Sequence, residues 1–337
     1  MRIVRLLLSL ACLGVFLVVG AGTVLPAGAQ TTAANEWTWM GGLGTLGSGS
    51  TAGVYGTLGS PAAANIPGSR AYGVGWTDSK GNIWLFGGFG ASSTPNWSDL
   101  NDLWMLNPAT AQWTWMGGSS TGYQSGVYGT LQSPATGNYP GARHGATGWT
   151  DSKGNFWLFG GTYYDTNNAL QVLNDLWMFN PSTSEWAWMG GTNAISEPGV
   201  YGTLGTPAST NVPGGRAYAV SWIDKKGNFW VYGGYALDST GTFRSANDLW
   251  EFNPSTNLWT WMAGGSTLGS SCDQSGNCGH AGVYGTLGTP ATVNIPGSRL
   301  DASAWTDSSG NLWLFGGEGF DANGNLGYLN DVWRYQP

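Results

Sequence analysis

Residues 82–88 read Asn-Ile-Trp-Leu-Phe-Gly-Gly, and residues 101–108 read Asn-Asp-Leu-Trp-Met-Leu-Asn-Pro. Both stretches return three more times along the chain. The Gly-Gly doublet stands at 87–88, 160–161, 233–234 and 316–317, at spacings of 73, 73 and 83 residues. The same spacings separate Arg70, Arg143, Arg216 and Arg299. Asn-Asp-Leu-Trp recurs at 101–104, 174–177 and 247–250, with Asn-Asp-Val-Trp at 330–333. A Trp-x-Trp-Met signature marks 37–40, 113–116, 186–189 and 259–262. Ten extra residues between Met262 and Gly282, around Cys272 and Cys278, explain the one long interval. Self-similarity at a fixed period is the mark of a repeat architecture, and here there are four units.

Each unit holds four short runs rich in aromatic and β-branched residues. In the first these are Ala71–Thr77, Ile83–Gly87, Asp102–Leu106 and Gln112–Met116. Turn chemistry separates them: Asp78-Ser-Lys-Gly81-Asn82 reads as a tight hairpin, and Asn107-Pro108 opens the turn before the fourth run. A helical period is nowhere sustained, so the fold is expected to be all-β. Four-stranded sheets repeated in this way cover their apolar faces with one another in a radial β-propeller.

The units resemble kelch repeats, the kind that also build the central domain of galactose oxidase. The resemblance rests on the apolar run into Gly-Gly, the Asn-Asp-Leu-Trp-x-aromatic-Asn-Pro strand, and Trp113, Trp186 and Trp259 after it. It covers residues 36–337, although units of 73 residues exceed the roughly 50 of a kelch repeat. In the first unit Leu106 replaces the aromatic of Phe179, Phe252 and Tyr335. The resemblance implies a kelch-type β-propeller of four blades, each of four antiparallel strands. The chain opens with a fourth-strand sequence, Trp37-Thr-Trp-Met40, and ends after a third strand at Tyr335. The N-terminal strand is therefore expected to complete the last blade and remove its edge. A larger ring, of which this chain supplies part, is the other reading. Three residues after each arginine stand Gly73, Ala146, Ala219 and Ala302, small enough for innermost strands to crowd one axis.

Strand alternation puts the loops between strands two and three on one face: Phe89–Leu100, Thr162–Leu173, Tyr235–Ala246 and Glu318–Leu329. These vary among the units, whereas the opposite turns scarcely change, so a binding face is expected on the variable side. Trp76, Trp149, Trp222 and Trp305, like Trp84, Trp157, Trp230 and Trp313, recur in every unit and read as packing. The unrepeated Phe89, Trp97, Tyr163, Tyr164, Tyr235 and Phe320 are the candidates for ligand contact. By the kelch resemblance, Arg70, Arg143, Arg216 and Arg299 could bind a carboxylate or sulfate. The competing reading pairs them with the equally repeated Asp102, Asp175, Asp248 and Asp331.

Catalytic signals are sparse. The copper chemistry of galactose oxidase does not carry over, because Cys272 and Cys278 share one loop and His144 and His280 lie far apart. No metal site and no cofactor is expected. Glu318 and Asp301 are weak candidates for an acid/base pair in epimerase- or glycosidase-like chemistry. Asp321-Ala-Asn323-Gly-Asn325 opens like a calcium loop but lacks the Gly and late Glu that the loop requires. The expected function is thus a non-catalytic binding module for a protein or carbohydrate ligand, with a sugar-active enzyme as the alternative.

Composition sets the remaining bounds. Gly supplies 57 of 337 residues and Trp 21, while charged residues are only 9%. There is no Gly-X-Y period, which excludes collagen, and the aromatic content excludes a disordered chain. The net charge of −7 leaves no basic stripe for a phosphate backbone, so nucleic acid is not an expected partner. Residues 1–29 read as a signal peptide, with Arg2 and Arg5, an apolar stretch from Leu6 to Val19, and Ala27-Gly28-Ala29 before Gln30. An uncleaved anchor is the alternative there. Cleavage would leave residues 30–337 as one secreted or periplasmic domain, without a membrane span and expected to be a monomer. Cys272 and Cys278 would then pair as a disulfide rather than bind metal.

Overall fold

The computed structural model describes residues 35–45, 49–267, 269–274 and 276–337. The leader read at 1–29 lies outside the described residues. Among the described residues every regular element is a strand, and no helix is long and apolar enough to cross a membrane.

The first three units each form an antiparallel four-strand meander. These are Val74–Thr77, Ile83–Ala91, Trp97–Asn107 and Gln112–Gly117; then Thr147–Thr150, Phe156–Phe159, Leu176–Asn180 and Glu185–Gly190; then Val220–Ile223, Phe229–Tyr232, Leu249–Asn253 and Leu258–Ala263. The fourth has Ser303–Thr306, Leu312–Phe320 and Leu326–Tyr335. The repeated tryptophans of the first two strands face each other across the ladder, Trp76 opposite Trp84 and Trp149 opposite Trp157. Such close aromatic pairs favour this register over a one-residue slip that would turn them to the other face.

The Gly-Gly doublet has a specific task. Gly87 and Gly88 lie at φ +60° and +103°, and the ladder shifts register there, from Phe86 opposite Leu103 to Gly88 opposite Leu100. A Cβ on Gly87 would stand 2.8 Å from the Arg143 carbonyl and 2.9 Å from that of Leu100, so no side chain fits. The Gly88 N–H donates to the Arg143 carbonyl of the next unit at 2.9 Å. Gly161 and Gly234 repeat that bond to Arg216 and Arg299, each at 2.8 Å. The doublet thus both bends its strand and stitches successive units together.

Past the bulge, the segments expected as loops are two-stranded ribbons. Gly88 to Ala91 pairs with Leu100 to Trp97, Thr162–Tyr164 with Leu170–Val172, Tyr235–Leu237 with Phe243–Ser245, and Phe320 with Leu326. The reason is local in the last three, where tight Asp turns at Asp165, Asp238 and Asp321 fold the segment back on itself.

Three apolar layers join the four sheets in series. Trp76, Trp84, Phe86 and Leu103 pack against Phe156, Leu158, Trp177 and Phe179, with Trp76 stacked on Phe156 at 5.3 Å and 8°. Trp149 repeats this on Phe229 at 5.1 Å and 5°. Val220, Trp222 and Trp230 meet Leu312 and Leu314 in the third layer. The inner strands crowd one another, since Val74 lies 2.5 Å from where a Cβ on Gly148 would sit.

No fourth layer joins the last sheet to the first among the described residues. Val332 is 55% exposed where its counterparts Leu103 and Leu176 are at 0%, and Trp305, Phe315 and Ile83 are also exposed. The segment 36–40, expected to close the last blade, carries no strand of its own, and Trp37 and Trp39 are exposed.

Candidate functional site

The four repeated arginines are structural. Arg143 donates to both oxygens of Asp175 at 2.6 and 2.8 Å, to the Gly160 carbonyl at 2.8 Å and to the Gly141 carbonyl at 3.0 Å. Asp175 also accepts the Tyr128 hydroxyl and the Trp177 indole N–H, each at 2.7 Å. The same cluster recurs at Arg70–Asp102, Arg216–Asp248 and Arg299–Asp331. Burial alone would raise the Asp331 carboxyl, but hydrogen bonds from Arg299, Trp333 and Tyr284 outweigh it and hold the group at about 2. These guanidiniums are buried against their aspartates, the pairing that the sequence offered beside ligand contact.

Two residues past each arginine the chain takes a left-handed turn, at Tyr72, Gly145, Tyr218 and Asp301, with φ of 58°, 64°, 57° and 52°. Gly145 N–H donates to the Tyr72 carbonyl at 3.0 Å, Tyr218 to Gly145 at 2.8 Å, and Asp301 to Tyr218 at 3.1 Å. This chain of bonds gathers the heads of the inner strands around a hollow of about 250 Å³ lined by Tyr72, Tyr218 and Asp301. The rings of Tyr72 and Tyr218 meet edge to face at 5.4 Å.

His144 stands beside this hollow. Its Nδ1 lies 2.5 Å from Asp99 Oδ1, and Asp99 Oδ2 accepts the Tyr164 N–H at 2.9 Å. Both side chains are buried. The buried Asp99 carboxylate thus holds the Nδ1 edge of the ring and turns the Nε2 edge away from itself. Among the described residues Nε2 has no protein partner. Rings surround the imidazole: Phe89 at 5.4 Å, Tyr218 at 5.9 Å, Tyr164 at 6.1 Å and Tyr72 at 6.2 Å. Trp97 extends the group by stacking on Phe89 at 5.6 Å and is 49% exposed. Burial, then the neighbouring Tyr164 and Tyr72 and the charge of Asp301, push the Tyr218 phenol far above its ordinary value.

This cluster occurs once in four units. Ala71, Ala217 and Leu300 replace His144, and Val172, Ser245 and Tyr328 replace Asp99. Of the aromatics singled out in the sequence, the structure brings together Phe89, Trp97 and Tyr164. Tyr163 points to the other face of its ribbon, half-buried. Tyr235 packs on Phe243 at 4.2 Å. Phe320 is fully buried against Gly279 and is no contact residue, a correction with a plain cause: the inserted cysteine hairpin covers it. Tyr72, Tyr218 and Asp99 were not among the sequence candidates; the unequal series Tyr, Gly, Tyr, Asp after the arginines was the signal for two of them.

Asp301 is exposed, and Glu318 lies half-buried one ladder step away, opposite Leu300. Burial and then the Glu318 charge raise the Asp301 carboxyl above its ordinary value. Cys272 and Cys278 are joined in a disulfide with Cα atoms 4.0 Å apart. Asp321 takes the backbone N–H groups of Asn323 and Asn325, both at 2.8 Å, so it caps a turn and does not open a calcium loop. Among the described residues no group of three acidic, His or Cys side chains could hold a metal. A scan against protein-family models and a search of curated proteins gave no match to this sequence.

Proposed function

We propose that this chain is a secreted, non-catalytic binding module of kelch-propeller type, taking a protein or carbohydrate ligand at the ribbon-bearing mouth of its axis. The observation that carries the reading is the single, unrepeated group of Tyr72, Phe89, Trp97, Tyr164 and Tyr218 around His144. Repeated aromatics fill the layers between sheets, whereas these break the repeat, and Trp97 and Tyr72 stay about half exposed. Exposed rings on a rigid scaffold are the usual anchors of recognition. The disulfide supports an oxidising compartment.

The finer architecture is part of this proposal. The four sheets are four blades, and residues 36–40 supply the outer strand of the last. Two features support it: Trp37–Met40 repeats Trp113–Met116, and the last meander has three strands where the others have four.

A sugar-active enzyme is the second reading, favoured by the open Nε2 of His144 and by the Asp301–Glu318 pair. A glycan-array and substrate screen on the purified mature chain separates the two. Binding without turnover supports the module; turnover lost in Glu318→Gln or His144→Gln overturns it.

A further inference from the structure

The charges of this molecule are sorted along its axis. All four lysines, Lys80, Lys153, Lys225 and Lys226, sit in the turns after the inner strands, at the end remote from Tyr72 and Tyr218. The four repeated arginines are consumed by their aspartates. Arg334 lies over Trp313, and Arg244 donates to the Gly276 carbonyl of the cysteine hairpin at 2.8 Å. Among the described residues these cations are thus paired with their aspartates, placed at the far turns or engaged elsewhere. Acid gathers at the aromatic hollow: Asp301 lines it, Glu318 acts on Asp301, and Asp99 stands behind His144.

The walls have the matching character. Tyr72 and Tyr218 line the hollow, and Phe89, Trp97 and Tyr164 continue the ring surface outward. Aromatic faces carry negative charge density and attract a cation that has shed its water. Two neighbouring carboxylates, without a basic partner among the described residues, add to that potential and repel an anion. The carboxylate or sulfate ligand suggested by the arginines is thus disfavoured here.

Resting on the binding-module reading, we propose that the hollow bounded by Tyr72, Tyr218 and Asp301 receives an organic ammonium group, carried by a small molecule or by a lysine side chain of a partner. The rings hold its apolar body, and Asp301 with Glu318 balances its charge.

Calorimetric titration of the mature chain with choline and with its neutral isostere 3,3-dimethylbutan-1-ol tests this directly. Choline is expected to bind about tenfold more tightly than the isostere, and the difference should shrink at high salt. Asp301→Asn should remove most of that preference while sparing the fold, since Asn tolerates the left-handed backbone at this position. Tyr72→Ala should weaken choline, and Lys153→Ala should change nothing. A lysine peptide compared with its Nε-acetylated form distinguishes the two carriers: preference for the charged peptide over choline assigns a protein partner, and the reverse a small molecule. Equal binding of choline and isostere, lost in Trp97→Ala, would overturn the ammonium assignment and leave the module reading intact. Binding of neither probe also overturns the assignment, while a ligand found by the glycan screen would still uphold the module.

Discussion

Replacing Asp248 by Asn tests whether the repeated Arg–Asp clusters carry the fold. Asp248 accepts from Arg216 at 2.9 and 2.7 Å, from the Trp250 indole at 2.7 Å and from the Tyr201 hydroxyl at 2.7 Å. Arg216 is 1% exposed. The amide keeps the shape but leaves the guanidinium as an uncompensated buried charge, and it offers only one acceptor oxygen to four donors. Breaking a buried pair on one side costs about 3–5 kcal/mol, a large share of the roughly 5–15 kcal/mol that holds a domain together. Asp331→Asn should cost less, roughly half, because its side chain is 13% exposed and water can reach Arg299's partner. Removing both charges, as Arg216→Met with Asp248→Leu, should recover most of the loss. Urea unfolding at neutral pH reads all three variants. A loss below about 1 kcal/mol in Asp248→Asn, or a double variant as unstable as the single one, would refute the reasoning.

Acid should unfold the protein through the same clusters. The folded Asp248 and Asp331 carboxyls lie below their ordinary value, Asp331 at about 2, so their stabilisation is complete above the unfolded carboxylate range. Unfolding free energy should stay flat from neutral pH to about pH 5 and fall between about pH 4 and pH 2. A stability that rises on acidification would contradict this. Cys272→Ser should cost at most roughly 2–3 kcal/mol, confined to the inserted hairpin, because the bridged cysteines are only six residues apart. Two reactive thiols in the untreated native protein would refute the disulfide. Deleting residues 30–41 should lower the melting temperature if Trp37 and Trp39 complete the last sheet; an unchanged melting curve would remove that strand from the architecture.

Much of the scaffold was legible because each unit repeats its own pairing rules. Trp76 finds Trp84 through a five-residue turn, and the pairing of Arg70 with Asp102 is announced by their common spacing. The ribbons beyond the Gly-Gly doublets were missed, since their variable sequences hid the Asp turns that fold three of them back. The site was harder. Asp99 and His144 come from different units, 45 residues apart, and meet only when the first and second sheets pack. Nothing local marks Asp99 as the partner of an imidazole. Phe320 misled for the converse reason, because the hairpin that buries it is an insertion present in one unit alone.

The most direct test of the central claim is the affinity of a screened ligand for two tryptophan variants. Trp97 and Trp305 are similarly exposed, at 49% and 46%, but Trp97 belongs to the aromatic cluster and Trp305 to the open face of the last sheet. Trp97→Ala should weaken binding by roughly 1–3 kcal/mol, and Trp305→Ala should leave it unchanged. Loss of binding in Trp305→Ala with Trp97→Ala unaffected would contradict the account and move the site to the other end of the axis.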